Sequence, residues 1–281
     1  MPTREELERE FGRLGIDFRN PGFCETPAFL EAEGRNPRLL FTYAQYIDTL
    51  TFTPEYLEHA RRVVRDTGDF LHRELDADGR RGACVDISQT VQRFLEPQGI
   101  WVYMVAGGLR IQYPAASGVG TRWFWPLMHP RNRARTGAVT GHAWVCAPPF
   151  KVIDLSFAIQ PYSPNEQRYL NGYVLAEECE GPPEATTVND LMDNEVRQEL
   201  TLALGRLPNM TDLPRVAPDL RDFMADFPSC KITKDEVHLK YIPTRISAPD
   251  RPLEGMRNLE LRGRYPAQLY EEFQRARNVN G

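Results

Sequence analysis

The 281-residue sequence contains no apolar run near the roughly 20 residues that a membrane-crossing helix needs, which excludes a helical span. It has no basic stretch longer than Arg131, Arg133 and Arg135, and its formal net charge is −5. Without a positive field to collect phosphates, nucleic acid is excluded as a first reading. There is no Cys-x-x-Cys pair. The five cysteines, Cys24, Cys84, Cys146, Cys179 and Cys230, are odd in number and widely spread, which argues against a zinc ribbon and a disulfide framework alike. No internal repeat or low-complexity linker forces a domain boundary. The N-terminus is an acidic amphipathic segment rather than a basic leader followed by an apolar run, so the expected setting is cytoplasmic. Hydrophobic residues at 41% and charged residues at 26% match a soluble globular chain, which removes disordered and collagen-like classes.

What is present is a helix-rich N-terminal part that gives way to strands. Thr3 and Glu6 have capping-box spacing ahead of Leu7, Phe11 and Leu14, which predicts a helix over 3–14 ended by Gly15. A second helical pattern runs from Pro37 to Leu50. A third begins with Thr53 as cap and Pro54 in the first turn, and it continues to about Leu75. The turn-forming run 76–82 then delivers the chain abruptly to Cys84, where Val91, Phe94 and Leu95 are spaced as the inward face of a helix starting at the cysteine. Residues 100–113 have strand composition, with Gly107-Gly108 marking a bulge or hairpin. Residues 114–138 predict an irregular excursion over a sheet edge. Two strands, 142–147 and 151–157, are joined so tightly by Pro148-Pro149-Phe150 that an antiparallel hairpin is the economical reading. Later come a helix over 189–204 capped by Asn189, a short strand over 236–242 and a terminal helix from Pro266.

Three stretches carry chemistry: Arg81-Gly-Ala-Cys84-Val-Asp, Thr140-Gly-His142-Ala-Trp-Val and Lys151-Val-Ile-Asp154-Leu-Ser. A thiol attacks as its thiolate, and a free cysteine with a pKa near ~8.5 is mostly protonated at neutrality. A helix N-terminus places partial positive charge and unpaired N–H groups beside the sulfur, and a neighbouring imidazolium adds to the effect. The same N–H groups can donate to an oxyanion. With a three-residue joint in the hairpin, residue 142 faces 156, so Asp154 is a same-face diagonal neighbour about 7–8 Å away between backbones. A carboxylate there holds one ring nitrogen and aims the other at the sulfur.

The order of a Cys at a helix start, a His in Gly-His-Ala-Trp-Val and an Asp in Val-Ile-Asp-Leu-Ser resembles the transglutaminase-like superfamily, a branch of the papain-like fold. The resemblance covers about residues 55–160. It implies an α+β fold with helices packed on an antiparallel sheet and the nucleophile at a helix N-terminus. By it, Cys84 is the nucleophile, His142 the general base and acid, and Asp154 the orienting group, with no cofactor or metal required. The implied activity is that of a cysteine protease or related thiol hydrolase acting on a peptide or protein amide through a thioester; acyl transfer to an amine and a catalytically silent binding scaffold are the alternatives. Arylamine acetyltransferases share the arrangement but place Gly where Ala83 stands. Many transglutaminase cores have an aromatic or small residue where Val85 stands. The expected organisation is an N-terminal helical extension over 1–50, the catalytic core over 51–165, and a helical and irregular region over 166–281 that packs on the core as a lid or partner surface.

Trp144 either walls the cleft or fills the core. Trp123 and Trp125 either bind an extended acyl donor or pack under a loop. The run from Arg131 to Arg135 reads more readily as solvated surface than as a site for an acidic substrate. Cys146, in an apolar strand, reads as core. A zinc site built from Cys84, His142 and Asp154 is a further alternative, since all three are legitimate ligand types.

Overall fold

The helices form where capping and amphipathic spacing coincide. In the computed structural model, which describes residues 2–131, 141–249 and 251–280, α1 (Arg4–Arg13) is held by the reciprocal Thr3–Glu6 capping box. α2 (Pro27–Arg35), capped by Thr26, is an element the sequence reading did not separate from the loop before it. α3 (Leu39–Thr49) follows, and then α4 (Pro54–Asp78), where Thr53 accepts from the Tyr56 N–H and Gly79 closes the helix with φ +75°. α5 (Cys84–Leu95) begins at the cysteine and buries Ile87, Val91, Phe94 and Leu95.

The strands are β1 (Tyr103–Gln112), β2 (Arg122–Phe124), β3 (His142–Ala147) and β4 (Phe150–Asp154). After the short α6 (Pro164–Gln167) come β5 (Val174–Ala176), α7 (Val188–Leu191), α8 (Asn194–Leu204), α9 (Leu220–Asp226), β6 (Cys230–Lys234), β7 (Val237–Ser247) and α10 (Pro266–Asn280). They give one seven-stranded sheet in the order β5-β4-β3-β1-β7-β6, with β2 beside the far half of β1 and every pairing antiparallel. The class is therefore α+β. The sheet is nearly closed on itself, because the Glu180 N–H donates to the Lys231 carbonyl at 2.8 Å and Cys179 is disulfide-bonded to Cys230, tying the chain after β5 to β6. The odd, scattered cysteines argue against a disulfide framework and give no sign of this single bond; spacing along the chain carries no trace of two residues brought together by sheet closure.

Two apolar layers sandwich the strands. On one side Phe11 of α1, Phe23 of the turn before α2 and Tyr43 of α3 join the cluster that holds Trp144 and Tyr241. The edge-on Phe23–Tyr43 contact, 4.8 Å between centroids, is of a kind that adds about 0.5–1.5 kcal/mol beyond area burial. On the other side α4, α5 and α10 contribute Val64, Leu71, Phe94 and Phe273 against Val145 and Ile153. Residues 166–281, expected as helical and irregular, supply β5, β6 and β7, and β7 lies beside the central β1. The helix expected over 189–204 is two pieces: the Asp193 carboxylate accepts from the Val196 N–H at 2.9 Å and caps α8, so Asp193 rather than Asn189 starts the longer piece. Among the described residues no helix is long and apolar enough to cross a membrane.

Candidate active site

The hairpin of β3 and β4 sets the site. Val145 lies opposite Ile153, a register that extrapolates to residue 142 opposite 156 and leaves His142 and Asp154 on one face. The His142 Nε2–H donates to Asp154 Oδ2 at 2.6 Å, with both side chains fully buried. The Tyr241 hydroxyl, from β7, donates to the same oxygen at 2.9 Å. The other oxygen, Oδ1, accepts from the Ser156 N–H at 3.0 Å and the Ser156 hydroxyl at 2.9 Å. A buried carboxylate is costly unless its lone pairs are filled, and these four donors fill them.

Glycine at two positions lets the backbone approach here. Gly141 precedes His142 with φ +74°, and a Cβ on it would stand 2.5 Å from the Gly107 carbonyl. A Cβ on Gly107 would stand 2.0 Å from the Ile242 carbonyl, so the register shift at Ala106/Gly107 resolves the Gly-Gly signal as a bulge in one continuous strand rather than a hairpin.

Cys84 occupies the first position of α5 and packs on Met104 of β1 and Ala143 of β3. Burial alone would push the His142 pKa down. The charge and hydrogen bond of Asp154 outweigh that, the Cys84 thiol adds a further upward contribution, and the ring is pushed up to about 10. Nδ1, the ring nitrogen not spent on Asp154, is buried and completes no hydrogen bond among the described residues. Burial and the Asp154 charge hold the Tyr241 phenol well above its ordinary value, which keeps it a donor.

The tryptophans lie away from the opening. Trp144 is 2% exposed, beneath the His142 ring at 6.5 Å and edge-on to Tyr241 at 5.1 Å, so it fills the core under the imidazole. Trp123 and Trp125 stack on each other at 5.9 Å, and Trp125 Nε1–H donates to the Asn189 carbonyl at 2.8 Å. None of the three lines the cavity of about 630 Å³ that opens beside His142, where Val85, Gly107, Gly141 and Phe223 do. Trp144 therefore packs in the core, while Trp123 and Trp125, half-buried, each spend one ring face on the other. Arg133, Arg135 and Thr140 lie outside the described residues. Cys84, His142 and Asp154 do not form a group arranged to hold a metal ion.

Sequence reasoning missed Tyr241 and the role of Ser156. Ser156 was legible, being two residues past an Asp at the end of a strand, where a hydroxyl and N–H can bond back to the carboxylate. Tyr241 carries no local signal beyond strand alternation with Leu239. Comparison of the chain with protein-family models, with curated proteins and with solved structures yields no match in any of the three.

Proposed function

We propose that the chain is a transglutaminase-like, papain-related cysteine enzyme whose Cys84 attacks the carbonyl of an amide, with hydrolysis of a peptide, isopeptide or side-chain amide as the favoured outcome. One observation carries the reading: a thiol at the start of α5 acts on a buried imidazole whose other nitrogen is bound by a fully satisfied carboxylate. The sulfur adds to the carbonyl carbon as thiolate, a form that an adjacent imidazolium stabilises. The first-turn N–H groups of α5 have no intrahelical acceptor, and Ala83 as N-cap offers no side chain to them, so they are suited to the oxyanion. As the C–N bond breaks, the imidazolium gives its proton to the departing amine. The now neutral ring takes a proton from water, whose oxygen attacks the thioester, and the sulfur leaves; an amine in place of water gives transfer instead.

Labelling with an electrophilic peptide amide analogue, read by mass, should modify Cys84 in the wild type and leave Cys84→Ala unmodified and without turnover. Labelling that persists in Cys84→Ala removes the proposal. A silent binding scaffold is the second reading, favoured by one observation, that Cys84 is 1% exposed; unlabelled wild-type protein that still binds the analogue selects it. A cytoplasmic setting belongs to the proposal, although a disulfide such as Cys179–Cys230 persists chiefly in oxidising compartments. Thiol counting on protein recovered under alkylating conditions decides: five alkylated cysteines keep that setting, and three remove it.

A further inference from the structure

The cavity beside His142 has a chemical character that the reaction itself does not require. Its volume, about 630 Å³, lies in the range of clefts that enclose a small organic ligand. Val85, adjacent to Cys84 and 38% exposed, lines it next to the nucleophile. Phe41, Leu220 and Phe223 also line it as an apolar wall, with Phe41 and Phe223 packed against each other at 5.4 Å between centroids. Two exposed arginines, Arg38 and Arg245, stand along the same cavity, and among the described residues neither forms an ion pair. The Arg38 guanidinium lies over the Phe41 ring at 5.8 Å, at the border between the apolar wall and the charged rim. Asp219 is the single carboxylate among the described lining residues, so the rim carries an excess positive charge.

A primary carboxamide placed against Val85, Phe41 and Phe223 would lose water without gaining partners, whereas an aromatic or long aliphatic side chain gains from the same transfer. Deamidation of a glutamine side chain is therefore the poorest fit of the reactions open to this thiol. An anionic group reaching the rim meets two guanidinium forks that, among the described residues, no carboxylate occupies. Resting on the enzyme reading above, we infer that the cleft selects an acyl donor with a large apolar side chain beside the scissile carbonyl and a carboxylate beyond it, as in an acidic hydrophobic peptide.

The test uses the full chain and a matched series of p-nitroanilides: succinyl-phenylalanine, acetyl-phenylalanine, acetyl-alanine and acetyl-glutamine. Calorimetric titration with succinyl-phenylalaninamide, which needs no turnover, runs in parallel. The expected kcat/KM for the phenylalanine donors exceeds that for alanine and glutamine by about tenfold or more. The succinyl donor exceeds the acetyl one by about fivefold at low salt, an advantage erased in the Arg38→Glu/Arg245→Glu double variant. Both positions are exposed, so that variant keeps the core, and Phe223→Ala adds a test of the wall. Turnover that is indifferent to side chain and charge, or that favours acetyl-glutamine, overturns the inference and leaves the enzyme reading intact. Charge-dependent binding of succinyl-phenylalaninamide without any turnover upholds the cleft's selectivity and removes the enzyme reading. Absence of both binding and turnover overturns the inference.

Discussion

Helix α5 has a buried thiol near each end, and groups of opposite kind face the two sulfur atoms. Near its C-terminal end the Cys24 thiol lies 4.0 Å from Glu96 and accepts from Gln92 Nε2 at 3.8 Å. Burial first, and then the Glu96 charge, drive the Cys24 pKa far up, so this thiol is inert. The cation there, Arg93, suits the negative end of the helix dipole, and its donors are spent on Glu96 at 2.6 Å, the Pro249 carbonyl at 2.8 Å and the Arg251 carbonyl at 3.1 Å. At the N-terminal end Cys84 meets an imidazole instead of a carboxylate, and one ring nitrogen is left unspent. Burial is common to the two thiols, so burial is not what distinguishes them. The sign of the facing charge is, together with whether that charge keeps a donor in reserve.

Removing the cation near each end breaks the comparison most sharply. On the proposed mechanism, His142→Ala should lower kcat about 10⁴-fold or more while the protein still folds, because it removes the ring to which that mechanism gives the proton transfers. Arg93→Met should do the converse. It leaves Glu96 buried and unpaired, costs about 3–5 kcal/mol of unfolding free energy, and leaves kcat per folded molecule within about twofold. Denaturant titration beside initial rates reads both. A variant pair in which Arg93→Met also abolishes turnover would merge the two ends into one site.

Asp154→Asn comes next, with an expected loss of about 10³–10⁴ in kcat, since a neutral amide neither holds the imidazolium charge nor fixes the tautomer. Tyr241→Phe is gentler, about tenfold, because Ser156 and His142 still occupy the carboxylate. With one donor fewer, the carboxylate holds the imidazolium more strongly, so the alkaline limb of the rate profile should move upward. Tyr43→Phe is the control, as its hydroxyl donates to the Val102 carbonyl away from the site and should not move that limb. In the wild type the His142 pKa, raised from 6.5 to about 10, puts the alkaline limb near pH 10. The same shift makes the charged ring stabilise the fold in full below about pH 6.5, with the contribution lost as pH rises through about 10. Thermal unfolding of wild type and His142→Gln across that range should show the two curves converge toward the alkaline side.

Much of this was legible where the signal is local. The Thr3–Glu6 box, the Thr53-Pro54 helix start and the helix beginning at Cys84 are each written within a few adjacent residues, and the described elements begin there. The 142-to-156 register is what a three-residue joint predicts, but the joint is Pro148-Pro149 alone, with Ala147 opposite Phe150, and a register shift between Ala147 and Val145 restores the expected pairing. Tyr241 and the Cys179–Cys230 bond were not legible, since each depends on β7 or β6 taking its place in a sheet whose neighbours lie far away along the chain. The tryptophans were ambiguous for a related reason: an aromatic in a loop looks the same in sequence whether its face is offered to a ligand or covered by another ring, as Trp125 covers one face of Trp123.

The smallest expected effect sharpens the comparison from its quiet end. Cys24→Ala removes a thiol whose polar neighbours include Glu96 and Gln92, which already bond to each other at 2.8 Å. Their bond survives the substitution, so no buried charge is left stranded, and the loss is confined to packing around one sulfur atom, about 1 kcal/mol. Turnover should stay within about twofold of wild type, and mass-resolved alkylation of the native protein should be unchanged, since Cys24 contributes nothing to it. Faster labelling of wild type than of Cys24→Ala would show that the carboxylate-facing thiol reacts after all, and the contrast between the two ends of α5 would then rest on access rather than on charge.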